Sequence, residues 1–327
     1  MNLDVRVADT DIVFDCTPEE TVLEAAERAG YALPYSCRKG VCNSCEGALT
    51  EGAVNQRGTG ELCAPADNVK LCLATPSESV EIKPTRIARR DPPARRTMTT
   101  TVHRISAAAQ DVTVVALRYP IGKRVKFRAG QYAIVQLPDG DTRNYSLANS
   151  PQRNDSAVLH VRRVVGGKFS DHMLGGLRLG DRLTVRLPFG EFTVDHKSDR
   201  PILLLVTGTG FAPARSIIED LIKRGAHRPV HLFWGGRQVE DLYQAELAAR
   251  WARRHDWLRF TPVLSCPAPD WTGRTGYVQH AALSEHPDLG EYEVYACGSP
   301  AMTEAARTEL EIDPDHFHSD AFLPSSS

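Results

Sequence analysis

The chain has 327 residues, which is too many for one ordinary core and suits two or three domains of about a hundred residues each. Charged residues make up 24% and hydrophobic residues 42%, values that are ordinary for soluble globular protein. The acidic start lacks a secretory signal, and apolar runs such as 202–206 are far short of the roughly 20 residues that span a bilayer. We therefore expect a cytoplasmic protein with neither membrane nor nucleic acid as a partner.

The net charge of −2 hides an uneven distribution along the chain. Residues 1–81 carry 6 basic and 14 acidic side chains, whereas residues 82–128 carry 12 basic and 2 acidic ones. Such an asymmetry can steer the docking of a partner through long-range fields. It fits equally well a solvated basic linker beside an acidic face.

The first elements form a strand pair, a helix and a returning strand. "VRVADTDIVFDC" predicts two short strands around a turn. In the helix that follows, Thr17 suits the cap, Pro18 the first helical position and Glu20 the capping box, and Gly30 ends the helix. Residues 79–84 return as a strand, so we expect a small sheet crossed by one helix.

Three cysteines lie close together after this helix, in the pattern Cys37-x4-Cys42-x2-Cys45. This is the plant-type iron–sulfur spacing and differs from paired zinc knuckles. A loop around a two-iron cluster must surround it with thiolates while its amides point at the sulfurs. Gly40 and Asn43 suit the tight turns because both tolerate left-handed backbone. The alternatives are chance clustering or a zinc loop.

A fourth thiolate must come from downstream, where Cys63 and Cys72 are both candidates. The sequence resembles plant-type 2Fe–2S ferredoxins, although these more often have Gly or Ser at the position of Asn43. Their last ligand precedes a small or polar stretch that leads into the final strand, which matches Cys72. The resemblance therefore implies ligation by Cys37, Cys42, Cys45 and Cys72, and it leaves Cys16, Cys63 and Cys266 as spare thiols.

The next region mixes Pro with Arg and predicts a basic linker at residues 85–97. Beyond it, "TVVALRY", "QYAIVQL" and "LHVRRVV" are short strands separated by turn-rich stretches. Strands at this spacing predict an antiparallel β-barrel, which we place at residues 98–198.

Two stretches of this barrel carry chemical signals. Arg143-Asn144-Tyr145-Ser146 is weak by itself, because such a tetrapeptide is commonly an edge strand. Gly166-Gly167-Lys168-Phe169-Ser170 is stronger, because a Gly-Gly turn that opens a helix offers free amides to an anion. In this order, and after a cluster domain, the two stretches resemble the ferredoxin–NADP reductase superfamily.

The resemblance implies a role for each matching position. Arg143 would neutralise a flavin phosphate, Tyr145 would lie against the isoalloxazine ring and Ser146 would hydrogen-bond near flavin N5. The pyrophosphate would be held by a further set of residues: Val161, Arg162, Gly167, Lys168, Phe169 and Ser170. The superfamily more often has Pro where this chain has Ala129, a change we expect to be structural.

From Pro201 onward, strands alternate with helices, which predicts a doubly wound α/β domain at residues 199–327. Its first strand is followed by Gly208-Thr209-Gly210-Phe211-Ala212-Pro213, whose glycines let a pyrophosphate approach the start of a helix. Pro213 stands where the dinucleotide fingerprint G-x-G-x-x-G has its last glycine, and a Gly-Thr-Gly turn is by itself commonly just a turn.

In the superfamily this hexapeptide recurs together with a later Cys-Gly pair, here Cys297-Gly298, which leads to Met302. The resemblance implies that Cys297 lines the place where nicotinamide meets flavin. The implied catalytic residues are thus Tyr145, Ser146 and Cys297, and the implied nucleotide contacts include Gly298 and Met302. Taken alone, Cys297 fits a buried strand cysteine equally well.

Two further positions bear on the cofactors. An acidic residue after the second strand favours NADH and an Arg favours NADPH; the chain offers Arg237 first and Glu240 later, so we expect NADH and keep NADPH possible. Phe322 matches the C-terminal aromatic residue that relatives often place near the flavin. Packing on a sheet edge is the alternative for Phe322.

The order of the modules covers the whole chain: a β-grasp 2Fe–2S ferredoxin domain at residues 1–84, a flavin barrel and an α/β nucleotide domain. This order resembles the reductases of bacterial aromatic-ring-hydroxylating oxygenases, of the naphthalene-dioxygenase type. An N-terminal cluster sets it apart from the phthalate-dioxygenase type with FMN, so FAD is implied. NADH delivers two electrons as hydride and the cluster takes one, and a flavin connects them.

The implied acceptor is a Rieske ferredoxin or a Rieske oxygenase. Two alternatives share the module order: a reductase for a di-iron monooxygenase of the phenol hydroxylase type, and a reductase for a deoxysugar dehydratase. A third alternative, from a different class of protein, is a redox-sensing regulator whose cluster only senses the redox state and does not feed electrons to an enzyme.

Overall fold

The computed structural model describes residues 2–40, 42–90 and 94–322, which divide into two compact units between Ala94 and Arg95. Helices and strands are numbered here along the chain. In the first unit they are β1 (Leu3–Val7), β2 (Val13–Cys16), α1 (Val22–Arg28), β3 (Tyr31–Ala32), β4 (Glu46–Glu51), β5 (Ala53–Gln56), β6 (Gly60–Cys63), β7 (Ala66–Lys70), β8 (Ala74–Pro76), β9 (Val80–Pro84) and β10 (Ala88–Arg89).

The first unit is built on a mixed five-stranded sheet in the order β2-β1-β9-β4-β7, and β1 and β9 run parallel. A second sheet of three strands has the order β6-β5-β8. The fold confirms the predicted β-grasp domain with one helix. The cysteine loop occupies the segment between β3 and β4.

Helix α1 begins later than we predicted. The N-cap of this helix is Thr21 and not Thr17. The Thr21 hydroxyl accepts a hydrogen bond from the Glu24 amide at 3.3 Å, and the Glu24 carboxylate accepts one from the Thr21 amide at 3.1 Å. "TPEETVLE" contains two consecutive capping boxes, and the second, Thr21 to Glu24, includes the buried Val22 and Leu23. The first box closes a turn, in which Glu20 accepts from the Thr17 amide at 3.1 Å.

The predicted linker, residues 85–97, contains ordered structure at both ends. Ala88 and Arg89 pair antiparallel with Ala32 and Tyr31, so β10 belongs to the first unit. The next strand begins at Arg96. Residues 91–93 of the predicted linker lie outside the described residues.

The second unit begins with an antiparallel barrel whose six strands follow the order β14-β13-β16-β11-β12-β15. A bridge between Leu147 and Leu159 joins the two outer strands, so the barrel is nearly closed. Buried side chains such as Val115, Val135 and Val185 fill it. Its strands are β11 (Arg96–Ala107), β12 (Val112–Arg118), β13 (Tyr132–Gln136), β14 (Thr142–Ser146), β15 (Ser156–Arg162) and β16 (Arg182–Phe189).

The rest of the second unit is a parallel six-stranded sheet in the order β20-β19-β18-β17-β21-β22, the doubly wound fold that we predicted. Its elements are β17 (Ile202–Thr207), α2 (Phe211–Arg224), β18 (Val230–Gly236), α3 (Ala245–Arg254), β19 (Leu258–Leu264), β20 (Arg274–Thr275), α4 (Val278–Glu285), β21 (Glu293–Gly298), α5 (Pro300–Glu309) and β22 (Phe317–Ala321). The helices cover both faces of this sheet, because alternate residues of β17 point to opposite faces. Leu204 packs in the core that includes α2 and α3, and Leu203 packs in the core that includes α4 and α5.

Three elements of this sheet region, β20, α4 and β22, have no counterpart in the sequence analysis. Helix α4 was not predicted, and β22 replaces what we treated as an aromatic tail. In the described part of the chain, residues 2–40, 42–90 and 94–322, the helices are all too short or too polar to cross a bilayer.

Candidate functional site

The four predicted cluster ligands come together in two pairs. The Sγ atoms of Cys45 and Cys72 lie 3.2 Å apart, and the Cys42 Sγ accepts from the Cys37 amide at 3.4 Å. Cys45 and Cys72 are buried, as is Cys42. A two-iron cluster takes two thiolates on each iron, so two pairs on one loop and its neighbouring turn fit this group.

The electrostatics of the loop favour thiolate at part of the set. Hydrogen bonds from the side chain and amide of Cys37 lower the pKa of Cys42 to about 5, against the opposing effect of burial. Within the close pair, Cys45 donates to Cys72, which raises the pKa of Cys45 and lowers that of Cys72. Among the described residues, no three His, Cys, Asp or Glu side chains lie close enough together to hold a single metal ion.

The other cysteines lie in different surroundings. Cys63 is exposed at the end of β6, whereas the alternative ligand Cys72 touches Cys45. Cys16 is buried with its Sγ 3.5 Å from the Glu20 carbonyl oxygen, and burial raises its pKa to about 12. In the described part of the chain, which includes all eight cysteines, each thiol is free of a disulfide.

The backbone of the loop adopts the turns that we predicted. Gly40 has φ +74° and Asn43 has φ +58°, both left-handed. A Cβ on Gly40 would lie 2.4 Å from a Leu73 methyl group, so this turn also needs a residue without a side chain. The Asn43 side chain accepts from Lys70 at 2.7 Å and ties the loop to β7. No local motif marks this contact, because Lys70 lies 27 residues further along the chain.

Arg143 lies inside the barrel, with only 6% of its surface exposed. Its Nη1 contacts Asp141 Oδ2 at 2.8 Å and donates to the Thr142 carbonyl at 2.8 Å. Its Nη2 is buried and has no hydrogen-bond partner among the described residues. A buried cationic donor without an acceptor is costly, and a phosphate oxygen would satisfy it, so Arg143 fits the predicted flavin phosphate.

Tyr145 and Ser146 follow on the same strand, β14. The Tyr145 ring packs against Phe169 with 5.3 Å between ring centroids, and burial raises the pKa of its hydroxyl. Ser146 is buried opposite Tyr132 in the register of β13 and β14. The sequence-predicted positions Arg143, Tyr145 and Phe169 therefore lie in one region of the barrel.

The Gly-Gly turn leads into a short helical segment rather than a full helix: one π-type turn at Lys168–Met173, then a tighter turn at Leu174–Gly176. The Ser170 hydroxyl accepts from the Val164 amide at 3.1 Å. A Cβ on Gly167 would lie 2.6 Å from that hydroxyl, so the turn closes tightly here. Lys168 extends to Asp139 and Asp141, at 2.7 and 3.2 Å.

Arg162 lies at the boundary between barrel and nucleotide domain, next to the buried Val161. Its Nη1 is 3.0 Å from the position that a Cβ on Gly208 would take. Asp111 and Asp241 face its guanidinium at 3.1 and 3.6 Å. We predicted Arg162 at the flavin pyrophosphate, and the structure places it also against the predicted nucleotide loop.

Gly208, Thr209 and Gly210 form a single tight turn directly before α2, and Pro213 is buried in the first turn of that helix. A Cβ on Gly210 would lie 2.2 Å from the Cys297 carbonyl oxygen. The two motifs that the sequence separates by about ninety residues are thus in backbone contact. Trp234 donates to the Gly208 carbonyl at 3.2 Å and fixes the turn from behind.

Cys297 and Gly298 end β21 at the same edge of the sheet. Cys297 is fully buried, and burial raises the pKa of its thiol, so it stays protonated. Gly298 has φ +142°, and a Cβ added to this residue would lie 2.2 Å from the Thr207 hydroxyl. The Phe322 amide donates to the Gly298 carbonyl at 2.7 Å, which places the C-terminal aromatic residue beside this pair.

The remaining predicted residues are placed less directly. Met302 is buried in α5, and its amide donates to the cap hydroxyl of Ser299 at 3.3 Å. Arg237 and Glu240 are both exposed after β18, and the Arg237 amide donates to Asp241 at 2.7 Å. Arg237 therefore lies at the carboxyl end of β18, the edge of the sheet where we expected it, and the contact described here is made by its amide and not by its side chain.

Sequence reasoning missed several residues of this site. Asp111 and Asp241 hold Arg162, and the Tyr243 hydroxyl bonds to His160 Nδ1 at 2.8 Å across the same boundary. These partners lie far apart along the chain, so no local motif marks them. Asp241 alone had a signal, because it follows the Glu240 that we had considered for ribose binding.

Three family models match the chain in the predicted order. The 2Fe–2S iron–sulfur cluster binding domain matches residues 5–77, the oxidoreductase FAD-binding domain residues 99–194 and the oxidoreductase NAD-binding domain residues 204–308. The three cofactors that we expected are therefore shown: a 2Fe–2S cluster, FAD and a nicotinamide dinucleotide.

Relatives match over nearly the full length. The terephthalate 1,2-dioxygenase reductase component 1 of Comamonas is 38% identical over 99% of this chain and 98% of its own. The CDP-6-deoxy-L-threo-D-glycero-4-hexulose-3-dehydrase reductase of Yersinia pseudotuberculosis is 34% identical over 99% of this chain and all of its own. The crystal structure of an Amycolatopsis cytochrome P450 reductase superposes with a TM-score of 0.80 at 32% identity, over 99% of this chain and 100% of that one.

Full-length identity above 30% and three consecutive domain matches agree with the geometry of the cysteine loop, the barrel and the nucleotide turn. The chain therefore belongs to the ferredoxin–NADP reductase superfamily, as an NAD(P)H oxidoreductase that carries a 2Fe–2S domain, an FAD domain and a nucleotide domain in one polypeptide.

Proposed function

We propose that the protein is the reductase component of an aromatic-ring-hydroxylating system and passes electrons from NADH to a Rieske ferredoxin or a Rieske oxygenase. The observation that carries this proposal is the full-length match, at 38% identity, to a reductase component of terephthalate 1,2-dioxygenase. The domain limits that we propose remain residues 1–84, 98–198 and 199–327, with the linker at 85–97. The three family-model matches support them.

When bound, FAD accepts a hydride from the nucleotide and passes electrons singly to the cluster. The residues of the chain bind and orient the reactants. Arg143 binds the flavin phosphate, Tyr145 lies along the flavin ring and Ser146 supplies a hydroxyl close to N5. Burial keeps the Tyr145 hydroxyl protonated, so this wall of the site stays neutral.

At the nucleotide domain, Gly210 lets the dinucleotide approach the backbone at the start of α2, where free amides favour an anion. Cys297 lines the place of hydride transfer as a neutral thiol. It presents a small apolar surface there and adds no charge that would repel the donor. Phe322 covers the same end of the sheet.

The cluster is held by Cys37, Cys42, Cys45 and Cys72. Hydrogen bonds from Cys37 lower the pKa of Cys42, which favours the thiolate form that a cluster ligand needs. Three of these four ligands, Cys42, Cys45 and Cys72, are buried, which would limit the access of water to the cluster.

A second candidate acceptor is a cytochrome P450, favoured by the TM-score of 0.80 with the Amycolatopsis P450 reductase. A deoxysugar dehydrase is a further acceptor of the same kind, favoured by the Yersinia relative. With each of these three acceptors the chain would have the same role, which is to take a hydride from the nucleotide and to pass electrons one at a time to the acceptor.

The experiment is a reconstitution with purified acceptors. NADH oxidation by the loaded protein is measured against rising concentrations of a Rieske ferredoxin, a cytochrome P450 and a sugar dehydrase. We expect saturation at micromolar concentration with the Rieske ferredoxin and linear, unsaturated rates with the other two. If the rate of NADH oxidation saturates only with the P450 or only with the dehydrase, that protein is the acceptor and the proposed Rieske partner is wrong.

The same assay tests the nucleotide preference. We expect a higher kcat/KM with NADH than with NADPH, because Glu240 follows the second strand. An Arg237→Ala variant should lose most of its remaining NADPH activity and keep NADH activity. Higher kcat/KM with NADPH in the unaltered protein would reverse the assignment.

A further inference from the structure

Asp220 is a buried carboxylate of α2 that the site described above does not use. Its side chain is 1% exposed and receives three donors: Gln152 Nε2 at 2.5 Å, Arg224 Nε at 2.9 Å and His196 Nε2 at 3.2 Å. Burial opposes its charge, but the hydrogen bonds from His196, Gln152 and Arg224 keep its pKa below the usual value. Asp220 is therefore a fully paired anion in the interior.

The three donors come from three parts of the second unit. Gln152 lies in the barrel loop between β14 and β15, His196 lies in the segment that joins the barrel to β17, and Arg224 ends α2 itself. One carboxylate thus fastens the barrel, the connecting segment and the nucleotide domain to each other. A buried carboxylate of this kind keeps its three donors in one arrangement, because the loss of a donor would leave the charge of the carboxylate less well compensated.

Asp220 belongs to a stripe of α2 that faces the barrel. Ala212, Ser216 and Asp220 are spaced by four residues and share one side of the helix. The Ser216 hydroxyl donates to the Asn149 carbonyl at 2.7 Å, within the same barrel loop. Ala212 packs in a small buried cluster with barrel side chains, namely Val114, Ala116, Ala148 and Val158.

The other side of α2 packs on the parallel sheet through Ile217, Ile218 and Leu221. The helix begins directly after Gly208–Gly210, the turn that approaches the dinucleotide. A rotation of α2 relative to the barrel would therefore move the nucleotide turn relative to the flavin side chains Tyr145 and Ser146.

We propose that Asp220 is a positioning residue for hydride transfer, which sets the orientation of the nucleotide turn relative to the flavin barrel. In this step the C–H bond at C4 of the reduced nicotinamide breaks, and the hydrogen moves with its electron pair to flavin N5, so NADH is oxidised and the flavin is reduced by two electrons. The rate depends steeply on the distance between these two atoms. The inference rests on the superfamily's hydride transfer and is independent of the final acceptor.

The primary test is an Asp220→Asn variant of the loaded protein, which keeps the volume of the side chain and removes its charge. We expect the rate of flavin reduction by saturating NADH, measured by stopped flow, to fall between about ten- and a hundred-fold. The Kd for NAD⁺ should stay within about two-fold, because the nucleotide turn itself is unchanged. Reduction of the flavin by dithionite should keep its rate.

Two further variants separate positioning from stability. Gln152→Ala removes the partner from the barrel at an exposed residue, so the chain should fold, and we expect a smaller slowing in the same direction. Glu285→Gln is the matched control, because this carboxylate pairs with Arg259 and Arg274 inside the nucleotide domain. It should lower the melting temperature and leave the hydride-transfer rate unchanged.

A structural readout accompanies the kinetics. Spin labels on Ser106→Cys in β11 and Arg250→Cys in α3, both at exposed positions, report the distance between barrel and nucleotide domain. The exposed Cys63 and Cys266 are first replaced by Ser. We expect one narrow distance distribution in the parent protein and a broadened or shifted one after Asp220→Asn.

The outcomes decide the proposal. A slower hydride transfer together with a changed distance distribution, both absent in Glu285→Gln, supports it. An unchanged rate in both Asp220→Asn and Gln152→Ala overturns it, as does a rate loss without any change in the distance distribution. A failure to reduce the flavin with NADH in the parent protein would instead contradict the superfamily's activity.

Discussion

Cys63 and Cys72 differ in the property that a cluster ligand needs, which is contact with the other thiols. Cys72 lies 3.2 Å from Cys45, whereas Cys63 is exposed on a separate strand. We predict that Cys72→Ser abolishes the visible absorption of the cluster and that Cys63→Ser leaves it intact. Absorption spectra of the two variants, after equal iron and sulfide loading, check this. The opposite pattern would exchange the two assignments.

Arg143 carries a buried donor atom, Nη2, for which the described residues provide no hydrogen-bond acceptor. A charge-assisted hydrogen bond to phosphate contributes about 1.5–3 kcal/mol, so Arg143→Gln should weaken FAD binding by roughly ten- to a hundred-fold. Fluorescence titration of the flavin-free protein with FAD measures this change. Arg118→Gln, at an exposed position on β12, is the control, and an equal effect in both variants would refute a specific role.

At the scale of elements, the nucleotide site depends on close contact between two loops. A Cβ on Gly210 would lie 2.2 Å from the Cys297 carbonyl oxygen, so Gly210→Ala must push the turn and the end of β21 apart. We predict a loss of about 1–3 kcal/mol of stability and a higher KM for NADH. Thermal unfolding and steady-state kinetics provide the measurements.

Gly175→Ala is the control for this change, because its Cβ would meet nothing within 4 Å. It should leave both the stability and the KM close to the parent values. Equal KM values in Gly210→Ala and the parent would mean that the turn does not approach the nucleotide.

The elements that sequence reasoning predicted well are those whose signal is local. The apolar run from Ile202 to Val206 is typical of a strand that is covered on both faces, and the Gly-Thr-Gly turn follows it directly. The start of α1 was misplaced because two capping boxes follow each other directly, and the helix begins at the second, where Val22 and Leu23 are buried. Strand β22 was missed because three of its five residues, His318, Ser319 and Asp320, are polar, and the strand is defined by its parallel pairing with β21 at the edge of the sheet.

The same limit holds for the site. Cys37 lies in a spacing that is typical of a cluster loop, whereas Arg143 and Gly208 lie in motifs that are weak alone and were predicted through the resemblance to the superfamily. The roles of all three stay predictions. Asp111 and Asp220 act through partners from distant parts of the chain, and no pattern within a window of residues reveals such pairs.

At the scale of the whole molecule, two buried histidines make stability depend on pH. Desolvation, with help from Arg215, lowers the pKa of His160 to about 3, and desolvation with Arg259 and His286 lowers that of His231 to about 3. In the unfolded chain both return to about 6.5. Above that pH both states are neutral, and below it the unfolded chain binds protons that the folded chain does not.

Stability should therefore fall as the pH drops below about 6.5, by up to about 1.4 kcal/mol per pH unit for each histidine. Urea unfolding at pH 7.0 and 5.5 measures the difference in free energy. His231→Gln should reduce this pH dependence, whereas His227→Gln, at an exposed position, should not. An unfolding free energy that is the same at both pH values in the parent protein would contradict the lowered pKa values of His160 and His231 in the folded state.

The central claim is that one chain connects a nicotinamide dinucleotide to a 2Fe–2S cluster through FAD. The most direct measurement is an anaerobic titration of the loaded protein with NADH, followed by visible absorption. The flavin takes two electrons and the cluster one, so we predict that both sets of bands bleach and that about 1.5 equivalents of NADH complete the change. Bleaching of the flavin bands alone, with the cluster bands unchanged at excess NADH, would contradict the account.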